Sequence, residues 1–253
     1  VVTAMNAAVL WVMAFMFSPV YLSFSSAALF FVIGGFIGHG LARYLQFIGL
    51  HHIGAARNTT VIASSALFGV IIAVLFRGEQ LTVPIALGAI AVVAGVVLLA
   101  HESRKTKWNA AYLLIPLASA LLYAVMSNLY KEGLDVIPDA ILGGAIGLTA
   151  AFFTMLLFII PEVRKNKLPS MPVVKKALPL FAIAGAINTI GIILNFQALK
   201  LGNVSVVHPI LNSQPLFATL YGYLFLKQYE KITLHVVMGA VVVVAGIVMI
   251  TAF

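Results

Sequence analysis

Nearly the whole sequence consists of nine apolar runs, most of them about as long as a lipid bilayer is thick. They cover 1–17, 24–50, 54–76, 84–100, 109–131, 138–160, 177–199, 203–226 and 233–252. A helix crossing the roughly 30 Å hydrocarbon core needs about 20 such residues. In hydrocarbon every backbone amide must pair within the chain, which leaves only helices or a closed barrel. A barrel would show strands alternating over about ten residues, and these runs do not alternate. Composition points the same way. Of 253 residues 62% are hydrophobic and 9% charged, where a soluble domain carries about 25% charged residues; mean hydropathy is +1.11. The expected fold is all-α and polytopic, with the lipid bilayer as its solvent.

The net charge of +8 does not point to nucleic acid, because the basic residues lie between the apolar runs rather than on one clustered face. Cysteine is absent, so disulfides and thiolate metal sites are excluded. Pro19, Pro84, Pro138, Pro161, Pro169 and Pro172 fall at or between run ends, where a missing amide costs least. Pro116, Pro179, Pro209 and Pro215 fall inside runs or near their starts, and Pro215, the deepest, is expected to kink its helix.

The sequence also repeats itself. Residues 67–98, LFGVIIAVLFRGEQLTVPIALGAIAVVAGVVL, are echoed by residues 216–249, LFATLYGYLFLKQYEKITLHVVMGAVVVVAGIVM, at an offset of about 149 residues before the short loop and about 151 after it. The loops themselves correspond, Glu79-Gln80-Leu81-Thr82 with Glu230-Lys231-Ile232-Thr233, which chance likeness of two apolar helices does not produce. One repeat step covers five runs. Five is odd, so the second copy enters the membrane from the opposite side, giving an inverted repeat about an axis in the membrane plane. The expected organisation is two five-helix bundles, 1–100 and 109–253. The chain opens Val1-Val2-Thr3 with no Met or signal-peptide anatomy, so a longer protein with ten helices is expected, the first copy being N-terminally truncated.

The mid-run Pro215, the ending LFLKQYEKIT and the Gly-rich last run ending VVVVAGIVM together resemble the drug/metabolite transporter superfamily, in the branch with two EamA-like repeats. The resemblance covers nearly the whole chain. It implies a carrier of amino acids or other small metabolites, often outward-directed, in the cell membrane and with both termini in the cytoplasm. Ala66 stands where the second copy has Pro215, so the kink is expected on one side only.

Polar groups deep in a span are costly and are functional candidates by default. His39, Arg43 and Gln46 are spaced four and three apart, on one helical face. In the matching run Asn188 and Asn195 also share a face, and the offset equates His39 with Asn188 and Gln46 with Asn195. Ser64 and Ser65 correspond to Ser213 and Gln214, with Asn212 beside them. Tyr123 shares a face with Ser127 on the fifth run. An inverted repeat brings such matched positions towards one cavity, so His39, Arg43, Gln46, Ser64, Ser65, Tyr123, Asn188, Asn195, Asn212 and Gln214 are the expected substrate-binding residues. Bland readings stand beside this one. The asparagines can bond neighbouring helices, Arg43 can snorkel to the interface about six residues away, and the serines can cap their own carbonyls. The adjacent His51-His52 make a poor metal pair and read as interfacial loop, and Asn6 lies too near the start to weigh. The glycines Gly34, Gly38, Gly40, Gly143, Gly144 and Gly147 read as sites of close helix approach.

All seven acidic residues fall in loops or at helix ends, and no phosphate-binding glycine loop is present. ATP drive within the chain is excluded, and no cofactor or metal is expected. Facilitated diffusion, exchange or proton coupling through His39 remain open. A deep cation without an acidic partner implies a ligand that supplies negative charge. Lys and Arg between runs are lopsided, with Arg57, Arg104, Lys105, Lys107, Arg164, Lys165, Lys167, Lys175, Lys176, Lys227 and Lys231 on one side and Arg77, Lys131 and Lys200 on the other. That places the first set in the cytoplasm, against the family's orientation, and the orientation stays open. Two rivals to a metabolite carrier are an exchanger of sugar phosphates or nucleotide sugars, which needs several deep cations, and an intramembrane enzyme, which needs a nucleophile–base set that the sequence does not offer.

Overall fold

The computed structural model describes residues 2–17, 26–77, 82–106, 109–164, 171–202, 207, 211, 214–225 and 233–251. Among them there is no strand. The chain runs through α1 (Val2–Phe17), α2 (Ser26–Gly34), a π-helix (Gly35–Ala42), α3 (Arg43–Ile53), α4 (Ala55–Ile62), α5 (Ser65–Arg77) and α6 (Val83–Thr106). A 3-10 turn (Ala110–Leu113) then leads into α7 (Leu114–Val136), α8 (Ala140–Arg164), α9 (Met171–Leu201), α10 (Gln214–Phe225) and α11 (Leu234–Thr251). Among the described residues five helical stretches are long and apolar enough to cross a membrane: Ser26–Ile53, Ala55–Phe76, Ala110–Val136, Ala140–Ile160 and Val174–Leu201. Side chains such as Phe15, Phe76, Leu157, Leu180 and Leu194 stay exposed, which only a lipid surround makes favourable. The chain is an integral, multi-pass membrane protein.

Several boundaries differ from those read in the sequence. The loop expected at 51–57 shrinks to Gly54, whose φ of 82° suits a residue without a β carbon; His51 and His52 lie in the last turn of α3 and are exposed, not in a loop. Helix α8 continues through Pro161 to Arg164, and α9 begins at Met171, well before 177. Pro215 falls in the first turn of α10, where its missing N–H has no helical partner to lose. In the first copy the equivalent helix is interrupted without any proline. At Ala63–Ser64 the amides of Ser64, Ala66 and Leu67 bond three residues back instead of four, while the Ser64 hydroxyl donates to the Val61 carbonyl at 2.6 Å. The one-sided kink is therefore overturned. The break coincides with the bond of the Ser64 hydroxyl to the Val61 carbonyl.

Contacts divide the chain into two compact units that cut across the sequence repeat. One comprises 1–44 and 128–202, the other 45–127 and 203–253. Each takes helices from both copies.

In the second unit α6 packs along α11. A β carbon on Gly88 would strike the Gly246 carbonyl, and one on Gly95 would lie 2.8 Å from the Gly239 carbonyl. Rising numbers on α6 meet falling numbers on α11, so the helices are antiparallel. The offset of about 151 equates Gly88 with Gly239 and Gly95 with Gly246. Each contact is thus the symmetry mate of the other, as a local two-fold across the helix axes requires. Ala66, Val92, Val243, Ile247 and Ile250 fill the core beside this crossing. Antiparallel packing of equivalent helices is what an inverted repeat demands.

The first unit carries the same symmetry in other helices. Phe31 packs at Gly143, Gly35 at Gly147, Gly40 at Thr154, and Tyr44 stacks on Phe158 with ring centroids 4.3 Å apart. The stretch from α2 to the start of α3 therefore runs alongside α8 in the same direction. Its counterpart is α1 against α9, where Met5 meets Gly185 and the Asn6 side-chain amide is hydrogen-bonded to the Thr189 hydroxyl at 3.0 Å. By the 149 offset Gly40 and Thr154 correspond to Thr189 and Met5, so the two contacts agree to within one residue.

Candidate functional site

The expected site residues fall into both units. His39, Arg43, Asn188 and Asn195 belong to the first; Gln46, Ser64, Ser65, Tyr123 and Gln214 belong to the second. Asn212 lies outside the described residues.

In the first unit His39 sits in the π-helix, a form frequent at functional positions, here in the glycine-rich stretch GFIGHGLA. Its ring is 5% exposed, and Nδ1 shares a hydrogen bond with the Tyr130 hydroxyl at 3.1 Å. Tyr130 is fully buried. Its ring centroid lies 4.6 Å from that of Phe196 and 6.2 Å from that of Phe31. Glycines make the socket. A β carbon on Gly34 or Gly147 would come within 2.6 Å of Tyr130, and one on Gly133 or Gly143 within 2.8 Å of Phe31. Gly34, Gly143 and Gly147 were expected to allow close approach, Gly133 was not, and what approaches is an aromatic cluster. Tyr130 itself went unmarked in the sequence, although it follows Tyr123 by seven residues and so shares its helical face.

Arg43 follows the π-helix by one residue and is half-buried. Helix α3 continues ten residues beyond it to Ile53, about 15 Å at 1.5 Å per residue, rather than the six residues read from the sequence. Its backbone N–H bonds back into the π-helix, but no hydrogen bond or ion pair joins its guanidinium to any described residue. A cation held at depth costs roughly 2.5–3.5 kcal/mol on insertion scales, so its retention without a partner among the described residues calls for a function. Lys131, by contrast, is satisfied: its ammonium pairs with Asp135 at 3.0 Å and donates to the Leu199 carbonyl at 3.3 Å.

Asn188 is engaged between helices. Its side chain lies 2.6 Å from that of Asn6, a residue of α1 that is fully buried and that sequence position alone had set aside. This amide bridge is the structural use of asparagine in membranes. Asn195 is different, because its buried Oδ1 has no hydrogen-bond partner.

In the second unit Tyr123 donates to Gln46 Oε1 at 2.7 Å, and Ser127 donates to the Tyr123 carbonyl at 3.1 Å. The Gln46 carbonyl accepts from Asn58 Nδ2 at 3.1 Å. Arg57, read as lying near a helix end, is near the start of α4 but buried there, donating to the Ile53 carbonyl at 3.4 Å. Asn58 and Thr60 are buried with it. The sequence signal for this stretch was the run Arg57-Asn58-Thr59-Thr60 inside an apolar segment. Ser65 is buried and Gln214 exposed.

A family model for EamA-like transporters matches residues 1–100 and again 109–252. The chain belongs to the EamA-like transporter family. Its members' general role, a permease of the drug/metabolite type, is therefore this chain's role as well. A solved crystal structure of a protein with 20% identity is similar to 99% of this chain and 96% of its own at a TM-score of 0.58, a likeness of fold alone. No curated protein matches the sequence.

Proposed function

We propose that this chain is a secondary transporter that carries small metabolites, amino acids among them, across the cell membrane by alternating access, acting as a carrier and not as an enzyme. The observation that supports this reading is the antiparallel, symmetry-matched packing of the equivalent helices α6 and α11. Inverted repeats that share such an axis can exchange conformations, which opens a central site alternately to each side. Polar side chains at matched depth in α2–α3 and α9, with the Arg43 guanidinium and Asn195 Oδ1 left without partners among the described residues, supply what a solute needs for binding.

The test has two stages. Thermal unfolding of the purified protein is measured against amino acids, organic acids, amines and sugar phosphates, since a ligand at about 100 times its Kd adds roughly 2.7 kcal/mol to stability. A stabilising compound is then followed into proteoliposomes. Uptake that exceeds empty vesicles and saturates with concentration is expected. Stabilisation without any flux, in either direction and with or without a proton gradient, would remove the carrier reading.

A further inference from the structure

We propose that Arg43 is the anchor for a single carboxylate on the transported solute, so that substrates are monocarboxylates; this rests on the transport reading above. Four observations converge. The guanidinium has no hydrogen bond or ion pair with any described residue, and the side chain is half-buried, neither sealed in the protein nor fully outside it. Ten further residues of α3 put the helix end about 15 Å away, beyond the reach of an arginine side chain, so snorkelling along the helix does not dispose of the charge.

The described acidic side chains of the same unit do not reach it either. Glu132, Asp135 and Asp139 cluster near the α7–α8 turn, where Asp135 is held by Lys131 and Asp139 accepts from the amides of Ile141 and Leu142. The contacts of Gly40 with Thr154 and of Tyr44 with Phe158 set Arg43 about level with residue 157 of α8. That is some 18 residues from Asp139, or roughly 27 Å along the helix. Finally, the described side chains around Arg43 are neutral hydrogen-bonding or aromatic groups, with His39 and Tyr130 bonded to one another and Tyr44 stacked on Phe158.

Chemistry then narrows the ligand. A guanidinium offers parallel N–H donors that match the two oxygens of a carboxylate. One cation balances one negative charge. A phosphate monoester, close to doubly charged, needs a second free cation, and Lys131 is already committed to Asp135. An amino acid and a simple organic acid both carry the required group. The ammonium of an amino acid additionally requires an acceptor, which the test can reveal.

The experiment uses thermal unfolding of the full chain with matched probes: L-phenylalanine, 3-phenylpropionate, phenylalaninamide and phenethylamine, extended to the other amino acids, acetate, lactate and a phosphate monoester. Stabilisation by carboxylates and none by the amide or the amine is expected. Arg43→Gln should weaken a stabilising carboxylate at least about tenfold, while Arg43→Lys, which keeps the charge and loses the fork, should weaken it less. The unfolding temperature without ligand should hold or rise in Arg43→Gln, since no protein pair is broken. A marked fall in that temperature would mean that Arg43 serves an internal partner such as Glu162, farther along α8, and would overturn the proposal. So would stabilisation by amines or phosphate esters in place of carboxylates, or by no carboxylate at all. Flux of an uncharged solute would leave the carrier reading intact while removing this one. Carboxylate binding without flux would do the reverse.

Discussion

The two compact units solve the same packing problem with opposite materials. In the second, α6 and α11 meet through glycines and aliphatic side chains, and backbone carbonyls lie where β carbons would be. In the first, equivalent helix pairs are joined by amides and hydroxyls (Asn6, Asn188, Thr189) and by an aromatic cluster set in a glycine socket. Without a hydrophobic drive in lipid, helices associate through close packing and through hydrogen bonds, and here the α6–α11 pair relies mainly on the first and the α1–α9 pair on the second. Packing against backbone is unforgiving of size. Hydrogen bonds between side chains are individually modest and can be exchanged for others, which suits a region that holds the unpartnered Arg43.

This contrast orders the effects of substitution. The largest is expected at the α6–α11 crossing. Gly88→Leu or Gly246→Leu drives a side chain into a facing carbonyl; overpacking of this kind costs about 1–3 kcal/mol or more. Yield of monodisperse protein and its unfolding temperature should fall sharply, and tolerance of either leucine would break the distinction between the units. An intermediate effect is expected for Asn188→Ala, because losing an interhelical hydrogen bond in a membrane costs on average about 0.6 and at most about 1.7 kcal/mol. Combining it with Asn6→Ala should cost less than the sum of the two singles, since they remove one shared bridge. Strict additivity in that cycle would show that the bridge contributes nothing. The smallest effect on stability is expected for Tyr130→Phe, which keeps the ring among Phe31 and Phe196 and removes only the hydroxyl that faces His39. Unfolding temperature should shift by a degree or two while substrate uptake changes more. Uptake matching the parent protein would assign Tyr130 to packing alone.

Much of the architecture could be read directly from hydropathy and from the repeat, because both record the solvent and the symmetry rather than local detail. Apolar runs of bilayer length fix helices, and an odd repeat step fixes inversion. The site was less legible, for identifiable reasons. His39 and Asn188 occupy equivalent places, yet Asn188 spends its amide on Asn6, and no spacing rule reveals which polar group has a partner across a helix interface. Tyr130 looked apolar in a helix of apolar residues. The π-helix left no periodic mark beyond its glycines, since eight residues hold fewer than two turns of it. Arg57 illustrates the converse. Its charge identified it as interfacial, and its position three residues past Gly54, in a turn of one residue, buries it instead.

The π-helix occurs in the first copy alone, for α9 passes through the equivalent residues as an α-helix. If the two copies were identical, swapping their conformations would produce a second state of equal free energy, and a carrier would rest facing either side with the same frequency. An eight-residue segment wound differently in one copy removes that degeneracy. On the alternating-access reading proposed above, a resting preference for one side is then expected without any gradient, and the winding of this one helix contributes to it.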